Sequence, residues 1–164
     1  RGDVSRLDSF INRLTAQRDC LALAARLIAD LPGPVLEIGL GNGRTYDHLR
    51  ALLPWREIFA FARQLNAHPQ SVPDTRHIIL GEFAATLPKA LARIGDKAAL
   101  AHADFGSGDA AATTELAAWL GPALAPLMRA GGVVAADQPL SVAGWTALAL
   151  PSSVPVGRYF LYRG

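Results

Sequence analysis

Apolar positions along the chain follow two spacings in turn, and this alternation predicts an α/β fold. Short uninterrupted apolar runs are typical of strands that are buried on both faces of a sheet. Such runs predict strands at residues 35–38, 57–62, 76–80, 98–103 and 131–136. Apolar residues three and four apart predict helices at residues 7–31, 44–53, 84–94 and 110–128, the last one broken near Gly121 and Pro122. Because strands and helices take turns, we predict a mostly parallel sheet with helices on both faces.

The C-terminal part of the chain follows a different pattern. Two apolar segments, residues 145–150 and 158–162, are separated by the proline-containing residues 151–155. This connection is too short for a crossover helix, so the two segments should pair as antiparallel strands. Near the other end, Ser5 and Asp8 resemble a capping box at the start of the first helix. The expected architecture is a parallel sheet that ends in an antiparallel hairpin.

Length and composition predict a single domain over residues 1–164. The chain is 51% hydrophobic and 18% charged, which is typical of a folded globular protein. No run of about 18 apolar residues occurs and charges interrupt the N-terminal segment, so we predict a cytoplasmic protein that does not bind membranes. Cys20 is the single cysteine, which excludes an intrachain disulfide. The net charge is +2 with dispersed arginines, so no nucleic-acid partner is predicted.

The first predicted strand leads into the most informative motif of the chain, Glu37-Ile38-Gly39-Leu40-Gly41-Asn42-Gly43. Its glycines remove side chains along one side of a turn, so a ligand can lie against the backbone. The helix that follows presents its first amide groups, which favour a polar or anionic ligand. The third glycine comes one residue earlier than in the G-x-G-x-x-G fingerprint of dinucleotide-binding proteins. An acid two residues before the first glycine can hold a cationic group such as an ammonium.

This E-x-G-x-G-x-G pattern resembles motif I of the class I methyltransferases that use S-adenosylmethionine. The resemblance covers nearly the whole chain and implies a Rossmann-like sheet of seven strands. It implies that Glu37 holds the amino group of the methionine part of the cofactor, usually through water, and that residues 39–43 lie under the cofactor. The phrases at residues 39–49, 101–104 and 131–139 also resemble a small bacterial family of single-domain methyltransferases. In such compact enzymes the first helix, here within residues 1–31, often covers the cleft.

The resemblance also assigns residues to the rest of the cofactor. After the third strand, Glu82 and Phe83 resemble the family's acidic motif, in which the acid and the next backbone amide contact the adenine. After the second strand the family usually places an acid on the ribose hydroxyls, but this chain has Ala62 and Arg63 there. Arg63 can donate to a ribose oxygen, and an arginine near this position also accommodates the 2′-phosphate of NADP. An ordinary surface arginine is an equally good interpretation.

The fourth predicted strand ends in His102-Ala103-Asp104. Side chains alternate along a strand, so His102 and Asp104 share one face. We predict Asp104 and His102 as the catalytic residues, a general base with its orienting partner, and Asp104 also as a cofactor contact. In the alternative interpretation, His102 is a hydrogen-bonded histidine of the core.

The fifth predicted strand is followed by Asp137-Gln138-Pro139. Together with Asp104, this segment resembles the catechol-type and caffeoyl-CoA-type O-methyltransferases, in which acids after the fourth and fifth strands and an asparagine bind a divalent metal. Here Gln138 replaces the asparagine, and its longer side chain disturbs a near-octahedral site. We therefore predict no metal, with Asp137 as a cap of the following turn.

Taken together, these residues predict an enzyme that uses S-adenosylmethionine to methylate an O or N nucleophile of a small molecule. An NADP-binding reductase and a non-catalytic module that binds the cofactor are the alternatives. The sequence does not name the methyl acceptor. The pattern predicts exposed apolar residues such as Trp145, which favours a homodimer.

Overall fold

A computed structural model describes residues 4–164 as one mixed sheet with helices on both faces. Within these residues the seven strands are β1 (Val35–Ile38), β2 (Ile58–Ala62), β3 (Ile78–Leu80), β4 (Ala98–Ala103), β5 (Met128–Ala136), β6 (Thr146–Ala147) and β7 (Phe160–Arg163). The helices are α1 (Arg6–Leu27), α2 (Arg44–Leu52), α3 (Phe83–Thr86), α4 (Ala90–Ile94) and α5 (Ala110–Leu124). The strand order is β3-β2-β1-β4-β5-β7-β6.

The topology confirms the predicted fold class. Strands β1 to β5 pair in parallel, whereas β7 runs antiparallel to both β5 and β6. The strand order reverses between β1 and β4, where open α/β sheets bind their ligands. Helices α1 and α2 pack on one face of the sheet, and α5 packs on the other. All four residues of β1 are buried, as a strand covered on both faces requires.

The predicted and observed elements differ most at three places. Helix α5 continues through Pro122 to Leu124. Gly121 serves close packing there and does not break the helix, since an added Cβ would lie 2.8 Å from a methyl carbon of Val142. The predicted helix 84–94 divides into α3 and α4 around a 3-10 turn that contains Pro88. Strand β6 is reduced to Thr146–Ala147.

Helix α1 is fixed at its start by a side-chain cap and along its length by the C-terminal hairpin. The Ser5 hydroxyl accepts from the Asp8 amide at 3.0 Å, which confirms the predicted cap. Three contacts join the helix to residues 134 to 149 positions away: Arg158 donates to the Ser9 carbonyl, Ser153 donates to Asp19 at 2.6 Å, and Arg163 donates to the Leu27 carbonyl at 2.9 Å. The first and last elements therefore hold each other on the sheet.

Trp145 does not provide the exposed apolar surface expected from the sequence. Its ring packs against Tyr162 with centroids 6.1 Å apart, and it is only partly exposed. The expectation of an exposed Trp145 is therefore wrong, and a dimer stays a prediction without that support. No helix within residues 4–164 has the length and apolar character needed to cross a membrane.

Gly43 is the position where the glycine loop tolerates a side chain least. Its φ angle is +82°, and an added Cβ would lie 2.6 Å from the carbonyl oxygen of Ser71. We expect Gly43→Ala to lower the free energy of unfolding by more than the ~1–2 kcal/mol of left-handed strain alone. Gly95→Ala is a matched control, because Gly95 has a φ of +84° with no atom within 4 Å of the added Cβ. Urea denaturation of both variants measures the difference, and equal losses would show that Ser71 moves aside without cost.

Candidate active site

A cleft of about 280 Å³ lies at the carboxyl ends of β1 and β4, beneath helix α1. Its lining comes from α1, from the glycine loop with the start of α2, and from the end of β4: Phe10, Arg13, Leu14, Gln17, Gly39, Leu40, Gly41, Asn42, Arg44, Thr45 and Asp104. A larger hollow of about 560 Å³ lies at the amino ends of the strands, around residues 29–34 and 55–57. Ligands of open α/β sheets bind at the carboxyl ends, so the smaller cleft is the candidate site.

The glycine loop forms one wall of this cleft and leaves it open. A Cβ added at Gly41 would meet no atom within 4 Å, so the space beside that backbone is free. The Asn42 side chain accepts from the Arg44 amide at 3.0 Å, which holds the turn into α2. Gly39, Leu40, Gly41 and Asn42 line the cleft as the motif suggested. This arrangement fits a ligand that lies against the backbone.

Glu37 lies directly beneath the loop and is 1% exposed. Its Oε1 lies 2.6 Å from Nδ1 of His102, whereas Oε2 is buried with no hydrogen-bond partner among the described residues. Burial raises the pKa of Glu37, although the neighbouring His102 opposes the rise. A buried carboxylate oxygen without a donor is rare in folded proteins. It fits an acid that receives a donor from a ligand or from an ordered water.

His102 is completely buried and does not reach the cleft. Its ring lies between Glu37 and the Tyr159 hydroxyl, 2.5 Å from Nε2. The cross-strand register explains the first contact, because Glu37 and His102 are direct partners on β1 and β4. This placement corrects the expectation of His102 as a base in the cleft and agrees with the alternative of a hydrogen-bonded core histidine. Tyr159 was not identified from the sequence, because it lies within an apolar strand segment that gives no sign of a polar contact.

The buried pair should make stability depend on pH. Burial lowers the pKa of His102, but the Glu37 carboxylate outweighs it and the net direction is upward. A folded-state pKa above the unfolded value near 6.5 gives stability that is present below that pH and is lost as pH rises through the folded pKa. The slope reaches at most about 1.4 kcal/mol per pH unit.

Urea denaturation between pH 6 and 9 measures this slope. We expect the slope to decrease in His102→Gln. It should also decrease in His77→Gln, because the pKa of the partly exposed His77 is raised as well, by hydrogen bonds to Asp74 and Glu57 that outweigh its burial. The double variant should lose both contributions, which separates the share of His102 from that of His77. The same slope in wild type and His102→Gln would contradict the assignment to His102.

Asp104 presents its carboxylate to the cleft and is held there by α1. Arg13 donates to Oδ1 at 2.8 Å, and Gln17 donates to Oδ2 at 2.6 Å. Neither α1 residue was identified from the sequence, although they are four positions apart and therefore share a helix face. On the same helix, Arg18 donates to Asp19 at 2.9 Å.

The Asp137 side chain accepts hydrogen bonds from the backbone of the turn that follows β4. Its Oδ1 accepts from the Phe105 amide at 3.0 Å and its Oδ2 from the Gly106 amide at 2.8 Å. Gly106 is required there, because an added Cβ would lie 2.5 Å from Oδ2. Burial, followed by the charge of Asp104, raises the pKa of Asp137.

These contacts do not fit the metal site of the catechol-type enzymes. All four carboxylate oxygens of Asp104 and Asp137 already accept from protein donors. No group of three or more histidine, cysteine, aspartate or glutamate side chains within residues 4–164 is placed to hold an ion. A divalent metal would have to displace the hydrogen bonds that the Phe105 and Gly106 amides donate to Asp137.

The residues predicted at the ribose and adenine do not line the cleft of about 280 Å³. Arg63 follows β2, Glu82 precedes α3, and their charged atoms are 4.0 Å apart with both side chains mostly exposed. Phe83 is the first residue of α3 and is half-buried. Ala62 belongs to the core, so position 63 is the one of the two that faces solvent. The roles of Arg63, Glu82 and Phe83 stay predictions.

Comparisons with known proteins identify the family of the chain. Residues 4–164 match the model of a family described as S-adenosyl-L-methionine methyltransferase. The crystal structure of S-adenosyl-L-methionine methyl transferase from Silicibacter pomeroyi DSS-3 is 42% identical, with a TM-score of 0.93 over 99% of this chain and 100% of that chain. No curated protein matches the sequence.

Two more distant structures share the fold. The plantazolicin methyltransferase BpumL in complex with SAH is 14% identical, with a TM-score of 0.55 over 79% of this chain and 49% of that one. The MycE methyltransferase of mycinamycin biosynthesis in complex with Mg and SAH is 21% identical, with a TM-score of 0.51 over 84% and 35%. The free space beside the Gly41 backbone and the unpaired Oε2 of Glu37 fit S-adenosylmethionine, the cofactor in the description of the family. The chain therefore belongs to the S-adenosyl-L-methionine methyltransferase family and is an S-adenosylmethionine-dependent methyltransferase.

Proposed function

We propose that this methyltransferase methylates an oxygen or nitrogen nucleophile of a small molecule. The observation that carries the proposal is the cleft, which has a volume of about 280 Å³ and lies beneath α1 with Asp104 on its wall. A space of this size, narrowed by Phe10 and Arg13, suits a small acceptor better than a folded macromolecule.

For methyl transfer the protein mainly has to align the acceptor with the methyl group and remove a proton from the acceptor. S-adenosylmethionine, when bound, supplies a methyl group that is already activated as a sulfonium. The acceptor must be held in line with that methyl group. The acceptor's oxygen or nitrogen would form a bond to the methyl carbon while the carbon–sulfur bond breaks, its electron pair goes to sulfur and S-adenosylhomocysteine leaves. The proton of the acceptor would pass to a base. Asp104 is the carboxylate that lines the cleft, and we assign it this task.

Glu37, His102 and Tyr159 act behind the cleft in this proposal. They form a buried chain of hydrogen bonds from β1 through β4 to the start of β7. His102 is a positioning residue, because its ring contacts neither the cleft nor Asp104. These hydrogen bonds fix the ends of β1 and β4, and the glycine loop and Asp104 follow directly after those ends.

Two measurements on the purified protein test the proposal. Isothermal titration with S-adenosylmethionine, S-adenosylhomocysteine and NADPH should show binding of the first two, and binding of NADPH alone would favour the reductase alternative. Methyl transfer to a panel of small phenols, carboxylates and amines, with RNA and protein as comparison acceptors, should label the small molecules. We expect equal rates with Mg²⁺ and with EDTA. Labelling of a macromolecule alone would contradict the proposal.

A further inference from the structure

An ion pair between α1 and the end of β4 lies in the wall of the cleft. The Arg13 guanidinium on α1 donates to Oδ1 of Asp104 at 2.8 Å, and both residues line the cleft. The Arg13 side chain is 48% exposed, so this pair is open to solvent on one side. The Asp104 side chain is only 10% exposed, so a ligand that breaks this pair has to supply an anion for Arg13 and a donor or cation for Asp104.

The methionine end of the cofactor carries charges that match this pair. Its α-carboxylate is an anion and its α-ammonium is a cation, separated by one carbon atom. We propose that Arg13 binds the α-carboxylate of S-adenosylmethionine by exchanging its bond to Asp104 for bonds to the ligand. A guanidinium suits a carboxylate because its donors form a planar fork that pairs with both oxygens.

When Arg13 moves from Asp104 to the ligand, the Asp104 side chain stays in position, but its negative charge is no longer neutralised by Arg13. Gln17 still donates to Oδ2 at 2.6 Å, so the carboxylate keeps its orientation. Oδ1 then becomes free for the ligand ammonium or for the proton of the acceptor. The proposal goes beyond the proposed function, because it concerns how the cofactor is held and requires no acceptor.

Other cations near the cleft are less suited to the carboxylate. The guanidinium of Arg44 stands over the Phe10 ring, 5.9 Å from its centroid. Arg18 is bound to Asp19 at 2.9 Å and does not line the cleft. Arg13 and Arg44 both line the cleft, but of the two only Arg13 is bonded to Asp104.

Equilibrium binding of two ligands that differ only in the carboxylate tests the proposal. S-adenosylhomocysteine carries it, and S-adenosyl-3-thiopropylamine lacks it but keeps the amine. We expect Arg13→Gln to weaken binding of the first ligand by about 10- to 100-fold, the usual range for a charge-assisted hydrogen bond. Binding of the second ligand should change by less than about threefold, since no contact to it is lost. Arg13→Lys should recover part of the loss.

Control variants make the result specific. Arg18→Gln removes a charge from the same helix and should leave both ligands unaffected. Arg44→Gln tests the nearest competitor. Equal losses for both ligands in Arg13→Gln, no loss for S-adenosylhomocysteine, or a carboxylate-selective loss in Arg44→Gln instead would each overturn the proposal. A wild-type protein that binds S-adenosylhomocysteine but methylates no small acceptor would count against the proposed function and leave this inference intact.

Discussion

Asp104→Asn is expected to lower kcat for methyl transfer by about 10²–10⁴-fold, the usual contribution of a positioned general base. Asparagine keeps an oxygen that accepts from Gln17, so the side chain should stay in place, but it no longer takes a proton. The effect should therefore appear in kcat at saturating cofactor and acceptor. Steady-state kinetics with the acceptor identified in the panel, together with thermal unfolding, measure the effect and confirm the fold.

The matched control is Asp47→Asn on α2, where the carboxylate binds Arg50 at 3.0 Å and is mostly exposed. It should leave kcat within about twofold, because a solvated surface carboxylate contributes little. An Asp104→Asn variant with normal kcat but weaker binding of S-adenosylhomocysteine would assign Asp104 to the cofactor amine and would exclude it as the proton acceptor. That outcome would leave the methyltransferase assignment untouched.

Glu37→Ala should be the most destabilising single change in the core, with a loss of about 3–5 kcal/mol in the free energy of unfolding. It removes the partner of a fully buried histidine and leaves Nδ1 of His102 without an acceptor. It also opens a cavity between β1 and β4. Urea denaturation at pH 7 measures the loss, and the glycine loop above should bind the cofactor more weakly.

Two further variants separate charge from shape at Glu37. Glu37→Gln retains an acceptor of similar size and should cost about 1–2 kcal/mol. The double variant Glu37→Leu with His102→Leu replaces the pair by apolar side chains and should recover much of the stability lost in Glu37→Ala, because buried ion pairs are often replaceable in this way. If Glu37→Ala cost less than about 1 kcal/mol, the buried pair would not be a structural element of the sheet.

Most of the sheet could be predicted from the sequence, because each strand is marked by its own short apolar run. The runs at residues 35–38 and 98–103 become β1 and β4 with the same bounds. Element ends were less predictable where a residue serves a distant contact, as Gly121 does in packing against Val142. The antiparallel hairpin was confirmed, since its short connection left no room for a crossover.

The candidate site was predictable only where it is local in sequence. The glycine loop and Asp104 follow directly from strand ends. Arg13 and Gln17 contact Asp104 across 91 and 87 positions, so no short-range pattern identifies them. For His102, strand alternation gave the correct face, but it did not reveal that Tyr159 and α1 cover that face. Burial is set by what packs above a strand, which is a property of the tertiary structure.

The contacts between α1 and the C-terminal hairpin have a consequence for folding order. Arg158, Ser153 and Arg163 connect the hairpin region to α1 over 134 to 149 positions, which are contacts of very high sequence separation. Such contacts form late, because closing long loops costs entropy that only later contacts offset. During synthesis α1 emerges before the strands on which it packs, and its contacts to the hairpin region form later. The protein should therefore gain affinity for its cofactor late in folding, when β7 pairs with β5 and α1 takes its place over the cleft.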